Sequence, residues 1–155
     1  AARLARYAPV GMRQRVEHGP GGTRIINDAY NANPMSMGAS LRTLAAVQGA
    51  RRVALLGDML EMGTGEADAH IDVLQLALSL NLDLVGLAGP RFATAAASLG
   101  IGDRVLLADD ALRLGTAVAA ELASGDVVLL KGSRGLAMER ALQSMAELLS
   151  PAEEG

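Results

Sequence analysis

The sequence predicts an α/β fold: a doubly wound, mostly parallel sheet with helices on both faces, Rossmann-like and in a single domain. Short continuous apolar runs recur along the chain, each ending in glycine or a polar residue. Such runs are typical of parallel strands buried on both faces. Segments with helical spacing of apolar residues alternate with these runs. At 155 residues, half of them hydrophobic, the chain is long enough to bury one core.

The strands are predicted from these apolar runs. The chain opens with a hairpin, in which GPGG (19–22) reverses the chain between QRVEH and the strand TRIIND (23–28). Each later strand is a run of aliphatic residues with a polar or glycine end. They are RRVALLG (51–57), LDLVGLAG (82–89), DRVLLAD (103–109) and DVVLLKG (126–132).

The first helix is predicted to begin at Pro34 with Asn33 as its N-cap, because asparagine accepts hydrogen bonds from free N–H groups and proline suits the first helical position. Its apolar pattern stops at Gly49. Four more helices are predicted, at 66–80, 90–99, 109–123 and 135–149. We expect residues 1–12 to be a linker, 13–149 the domain and 150–155 a tail.

Composition argues against several functions. The net charge is −3 and the chain has only three aromatic residues, so we expect no nucleic-acid binding. No apolar run approaches the roughly 18 residues that span a bilayer, so we expect no membrane association. The chain has no cysteine, which excludes disulfides and thiolate metal sites. The start has neither an initiator Met nor an apolar signal region, so we expect a piece of a longer protein. The absence of cysteine fits a cytoplasmic protein, and we expect it to be a monomer.

Ligands bind at the carboxyl ends of the strands in open α/β sheets, and three loops there are polar. The first, NDAYNANP (27–34), holds three of the chain's four asparagines and one of its two tyrosines. Asp28 ends a strand and could accept hydrogen bonds from ribose hydroxyls, while the helix N-terminus after it suits phosphate. A purely structural role as turn and cap residues remains open.

The second loop lies in GDMLEMGTGEADAH (57–70). Asp58 ends a strand, and GTGEAD is an incomplete dinucleotide-binding pattern, because its third glycine position is Asp68. His70 stands alone near the start of a helix, so we expect it to be an exposed surface residue. Glu61 and Glu66 are expected to be solvated or to cap the helix.

The third loop is KGSRG (131–135), which groups Lys131, Ser133 and Arg134. Lys131 is the only lysine among fourteen basic residues. The composition suits an anion-binding loop, although it lacks the order of a P-loop. A helix starting at Gly135 would add its dipole. A solvated lysine with no ligand is the alternative.

These three loops, as DAYNANPMSM, LLGDMLEMG…H and LLKGSRGLAME, resemble in this order the C-terminal domain of the Mur ligases. The resemblance covers roughly residues 8–149. It implies an ATP-dependent, peptide-bond-forming ligase of peptidoglycan precursor synthesis, with three domains. ATP and Mg²⁺ would be held mainly by a central domain outside this chain. The motifs are nearest to the member that adds D-alanyl-D-alanine to UDP-N-acetylmuramoyl-tripeptide.

The resemblance also implies roles for particular residues. Asp28 would hold the ATP ribose together with Arg13, or with Arg15, and Asn31 and Asn33 complete that motif. Four residues would face the dipeptide: Asp58, Lys131, Ser133 and Arg134. The resemblance assigns no role to Tyr30, Glu61 or His70. It implies no catalytic or metal-binding residue in this chain, which we therefore expect to be inactive alone.

Two alternatives remain at this point. The chain could be a stand-alone nucleotide-binding or regulatory module of Rossmann-like fold. It could also belong to another Mur-type ligase, although the DNPR motif of the diaminopimelate-adding members is absent.

Overall fold

The computed structural model describes residues 16–149. Arg13, Arg15, the predicted linker and the predicted tail lie outside this range. Six strands form one sheet: β1 (Val16–His18), β2 (Arg24–Asp28), β3 (Arg52–Gly57), β4 (Leu84–Ala88), β5 (Leu106–Ala108) and β6 (Val127–Lys131). Five helices accompany them: α1 (Pro34–Ala45), α2 (Glu66–Ser79), α3 (Pro90–Leu99), α4 (Ala111–Ala119) and α5 (Arg140–Leu149).

The sheet has the order β1-β2-β6-β3-β4-β5. Only β1 runs antiparallel to its neighbour, and this pair is the predicted hairpin. The other four pairings are parallel. The predicted fold class, a doubly wound and mostly parallel sheet, is therefore confirmed.

Helices cover both faces of the sheet, and this explains the continuous apolar runs. In β6, Leu129 packs into a core cluster with α1, α2 and α3. The adjacent Val128 and Leu130 pack into a second cluster with α4 and α5. Because successive side chains of a strand point to opposite faces, a strand with helices on both sides must be apolar at every position.

Two predicted elements begin later than expected. The strand predicted at 103–109 is shorter, because a 3-10 turn (Gly102–Arg104) precedes it. The helix predicted from residue 135 begins only at Arg140. Ala137, with φ of +49°, interrupts the helical path and lets Met138 pack onto Gly57 and Gly132. A Cβ on either glycine would come within 2.5 to 2.7 Å of the Met138 side chain, so the close approach requires glycine at both positions.

The remaining predicted elements agree with the observed ones, apart from the ends of two helices. The first helix ends at Ala45 instead of continuing to Gly49, and α4 ends at Ala119. Within residues 16–149, no helix combines the length and apolarity needed to cross a bilayer.

Candidate functional site

The three polar loops meet at one edge of the sheet. Strand β6 lies between β2 and β3, and all three run in the same direction. Their carboxyl ends therefore point the same way, and the loops that follow them are neighbours. We call this the carboxyl edge; it comprises residues 28–34, 57–62 and 131–135.

A buried ion pair joins the first and third loops. Asp28 and Lys131 are partners in the β2–β6 register, so their side chains lie on the same face. Lys131 Nζ lies 2.9 Å from Asp28 Oδ2 and donates a second hydrogen bond of 2.9 Å to the backbone oxygen of Asn31. Ser40 Oγ, on α1, donates to the same Asp28 oxygen at 2.6 Å.

Burial makes this pair structurally important. Lys131 is 2% exposed and Asp28 is 7% exposed. A buried charge is tolerated only when partners replace its water, and here each charge has at least two. The single lysine of the chain therefore fixes the first loop to β6. Its ammonium carries three donors in a compact group, which suits two acceptors on different segments.

The rest of the first loop is arranged as a helix start. Asn33 Oδ1 accepts a hydrogen bond of 2.9 Å from the N–H of Ser36, and Ser36 Oγ accepts one of 3.1 Å from the N–H of Asn33. This reciprocal capping box, with Pro34 at the first helical position, confirms the predicted cap. Asn31 Oδ1 accepts from the N–H of Ala32 at 2.8 Å. Both asparagines remain exposed.

Asp58, in the second loop, caps a helix from a distance. Its two carboxylate oxygens accept hydrogen bonds of 2.9 Å from the N–H groups of Arg91 and Phe92, in the first turn of α3. The N-cap residue of α3 is Gly89, which has no side chain to do this. A Cβ on Gly89 would lie 2.5 Å from the Asp58 carboxylate, so the glycine makes room for the cap. Asp58 is fully buried.

The Arg91 side chain extends over this cap. Its Nε lies 2.9 Å from Glu66 Oε1, and one terminal nitrogen lies 3.5 Å from Asp58. The contact with Glu66, and secondarily the one with Asp58, raises the pKa of Arg91 above its usual value. Glu66 thus pairs with an arginine at the start of α2, whereas Glu61 is exposed as predicted.

The prediction that His70 is exposed is wrong: the residue is fully buried. Its Nε2 accepts a hydrogen bond of 2.9 Å from the N–H of Met59, and its Nδ1 lies 2.7 Å from the backbone oxygen of Glu66. The ring also meets Phe92 edge-to-face, with centroids 4.7 Å apart. The sequence contained a usable signal, since residue 70 shares helical spacing with the buried positions 73, 74 and 77.

Besides the buried Lys131, the third loop contains one buried polar side chain, Ser133, and one exposed polar side chain, Arg134. The N–H of Ser133 donates to the backbone oxygen of Asp58 at 3.1 Å, and its Oγ accepts from the N–H of Leu60 at 2.7 Å. Arg134 is exposed, and its guanidinium carbon lies 5.2 Å from the ring centroid of Tyr30. This is cation–π geometry. The predicted helix dipole at Gly135 is wrong, because α5 begins five residues later.

The carboxyl edge thus has a buried layer and an exposed layer. The buried side chains hold the loops together: Asp28, Asp58, His70, Lys131 and Ser133. The exposed polar side chains face solvent: Tyr30, Asn31, Asn33, Glu61 and Arg134. Among them Arg134 is the cation, so this surface can bind an anionic group. Within residues 16–149, no three His, Cys, Asp or Glu side chains are grouped closely enough to hold a metal ion.

Comparisons with known proteins show which family this chain resembles. Residues 12–134 match the family model described as "Mur ligase, glutamate ligase domain". A protein of Treponema pallidum named UDP-N-acetylmuramoyl-tripeptide–D-alanyl-D-alanine ligase is 39% identical over 119 residues, covering 75% of this chain and 26% of its own length. A protein of the same name from Bacillus subtilis is 33% identical over 141 residues, covering 88% and 31%.

A solved structure gives the same result for the fold. The crystal structure of a Thermotoga maritima MurF ligase, in complex with ADP, superposes with a TM-score of 0.76. It is 28% identical, and the match covers 94% of this chain and 33% of the other. The chain therefore spans about a third of the length of these relatives.

Proposed function

Because this chain belongs to the Mur ligase family, we propose that it is the C-terminal domain of a ligase that uses ATP to join D-alanyl-D-alanine to UDP-N-acetylmuramoyl-tripeptide. One observation carries the proposal: three loops from separate parts of the sequence, all bearing the family's motifs, meet at one sheet edge. The names of the relatives support this particular member of the family. A regulatory module unrelated to ligases has no such support.

We propose that the first loop binds the nucleotide. Asp28 would hold the ATP ribose together with Arg13 or Arg15, and its carboxylate would accept hydrogen bonds from the ribose hydroxyls. Lys131 and Ser40 both contact Oδ2 of Asp28, so they fix the plane of the carboxylate. Asn31 and Asn33 lie exposed beside it. The ADP in the Thermotoga maritima MurF structure supports a nucleotide-binding role for the family.

We propose that the third loop binds the dipeptide, with Arg134 making the direct contact. D-alanyl-D-alanine has a carboxylate that must be held while its amine stays free to attack. An exposed guanidinium can bind a carboxylate through two parallel hydrogen bonds. Its contact with the Tyr30 ring limits the positions it can take. The buried Lys131, Ser133 and Asp58 belong to the same site and would hold Arg134 in place.

The proposed reaction forms one peptide bond. ATP phosphorylates the terminal carboxylate of the tripeptide, the amine of the dipeptide attacks the acyl phosphate, and phosphate leaves. Within residues 16–149 no three His, Cys, Asp or Glu side chains could hold a metal ion, and Mg²⁺ would be held mainly by the central domain of the ligase. This chain would supply binding surfaces, and the remainder of the ligase would supply the groups that transfer phosphate. We further propose that the protein acts in the cytoplasm, where ATP is available, as a monomer.

The test is ADP release by the full-length protein. With ATP, UDP-N-acetylmuramoyl-tripeptide and D-alanyl-D-alanine all present, we expect turnover, and omitting either peptide substrate is expected to abolish it. The 155-residue chain under the same conditions is the control and is expected to release no ADP. Turnover by this chain alone would contradict the division of the active site between domains.

A further inference from the structure

We propose that His70 is a positioning residue for the dipeptide-binding loop: it fixes the backbone of Met59 and, through it, Ser133 and Arg134. The proposal deepens the proposed function and rests on it for the identity of the ligand. His70 lies on α2, and none of the ligand-binding roles proposed above uses it. Both nitrogens of its ring contact the backbone: Nε2 contacts the N–H of Met59 in the carboxyl edge, and Nδ1 contacts the oxygen of Glu66 on α2.

Ser133 contacts the backbone on both sides of Met59. Its N–H donates to the backbone oxygen of Asp58, the residue before Met59. Its Oγ accepts from the N–H of Leu60, the residue after it. Ser133 is therefore bonded to a three-residue segment whose middle N–H donates to His70. A shift of that segment would move both contacts of Ser133, and Arg134 is the next residue along the chain.

The ring of His70 is held in one orientation and one tautomer. Nε2 accepts from the N–H of Met59, so the proton lies on Nδ1, which donates to the backbone oxygen of Glu66 at 2.7 Å. Phe92 packs edge-to-face against the ring. Phe92 also donates its N–H to Asp58 at 2.9 Å. The segment 58–60 is thus fixed to α2 through His70 and to α3 through Asp58.

A simple core role for His70 makes a different prediction. Packing alone would be satisfied by leucine, which fills a similar volume but accepts no hydrogen bond. Leucine would leave the N–H of Met59 buried and unpaired, a situation that proteins strongly avoid. Glutamine can present an oxygen at the same distance from the backbone as Nε2. His70→Leu therefore removes the proposed role, and His70→Gln retains its acceptor.

The first test is amide hydrogen exchange on the 155-residue chain. In His70→Leu we expect exchange at Leu60 and Ser133 to rise about tenfold to a hundredfold relative to Leu129, whose exchange reports global opening of the sheet. In His70→Gln it is expected to stay close to wild type. If His70→Leu does not fold, His70→Asn, which is too short to reach Met59, replaces it.

Ser144→Ala is the matched control. Ser144 is buried and donates to the oxygen of Leu112 at 2.7 Å, on the opposite face of the sheet. We expect this variant to leave the Leu60 and Ser133 amides unchanged relative to Leu129. The proposal is overturned if His70→Leu raises exchange uniformly, or if Leu60 and Ser133 do not respond.

The second test is steady-state kinetics of the full-length protein. His70→Leu is expected to raise KM for D-alanyl-D-alanine about tenfold or more while KM for ATP changes less than about twofold, and His70→Gln is expected to restore the former. If both KM values rise equally, His70 contributes only to the stability of the domain, and the proposal is overturned. If the wild-type full-length protein does not use D-alanyl-D-alanine, the proposed function fails, whereas the exchange experiment still tests the positioning of Ser133.

Discussion

Replacing Lys131 by methionine is predicted to be among the most destabilising single changes in this domain. Methionine has similar bulk to lysine but no charge and no donor. The change leaves the 7%-exposed Asp28 carboxylate with the Ser40 hydroxyl at 2.6 Å but without its counter-charge. It also removes the hydrogen bond from Lys131 to the backbone oxygen of Asn31. Breaking one side of a buried ion pair typically costs about 3–5 kcal/mol, and we expect a loss of unfolding free energy in that range.

The assay is urea denaturation of the 155-residue chain, with Arg113→Met as the matched control. Arg113 also pairs with an aspartate, Asp109, at 3.1 Å, but both side chains are largely exposed. An exposed pair contributes less than about 1 kcal/mol. Adding Asp28→Asn to Lys131→Met removes the unpaired carboxylate and is expected to recover roughly 2 kcal/mol or more.

The same measurement can also show that the Asp28–Lys131 pair does not stabilise the fold. If Lys131→Met loses less than about 1 kcal/mol, like Arg113→Met, then the pair is not a buried structural link. If Asp28→Asn adds a further loss to Lys131→Met, the cost does not come from an unpaired carboxylate.

Three further changes probe the carboxyl edge and the segment that follows its third loop. Arg134→Gln is expected to raise KM for D-alanyl-D-alanine about tenfold in the full-length protein, measured by steady-state kinetics. Because the Arg134 side chain is exposed, urea denaturation is expected to give an unfolding free energy within about 0.5 kcal/mol of wild type. Asp58→Ala removes the cap of α3 and is expected to lower the unfolding free energy by about 2 kcal/mol, measured by urea denaturation. Ala137→Gly relieves a left-handed residue with φ of +49° and is expected to raise the melting temperature, by the equivalent of about 1 kcal/mol; a lower melting temperature would contradict the strain argument.

Local patterns in the sequence were sufficient for the fold class. Continuous apolar runs require strands covered on both faces, and the glycine and proline positions mark where helices start and stop. The cap at Asn33 could be predicted because all its partners lie within three residues. The late start of α5 could not be predicted in this way, because it depends on Met138 packing against Gly57, a residue far away in the sequence.

The candidate site was predicted only in part for the same reason. The sequence singled out Lys131 and Asp28, but their pairing depends on β6 lying between β2 and β3, an order that no local pattern reveals. We had expected two separate sets of contacts, one to the nucleotide and one to the dipeptide. The structure instead joins the two loops through one buried ion pair. The exposed position predicted for His70 is wrong because residue 70 lies on the buried face of α2 with Val73, Leu74 and Ala77.

The proposal that these loops belong to a ligase that adds D-alanyl-D-alanine can be tested by a competition experiment with the full-length protein, ATP and UDP-N-acetylmuramoyl-tripeptide. D-alanyl-D-alanine, D-glutamate and meso-diaminopimelate are offered together at equal concentration, and the product is identified by mass spectrometry. We expect a single product, heavier than the tripeptide substrate by one dialanine unit. A product carrying glutamate or diaminopimelate in place of dialanine would contradict it.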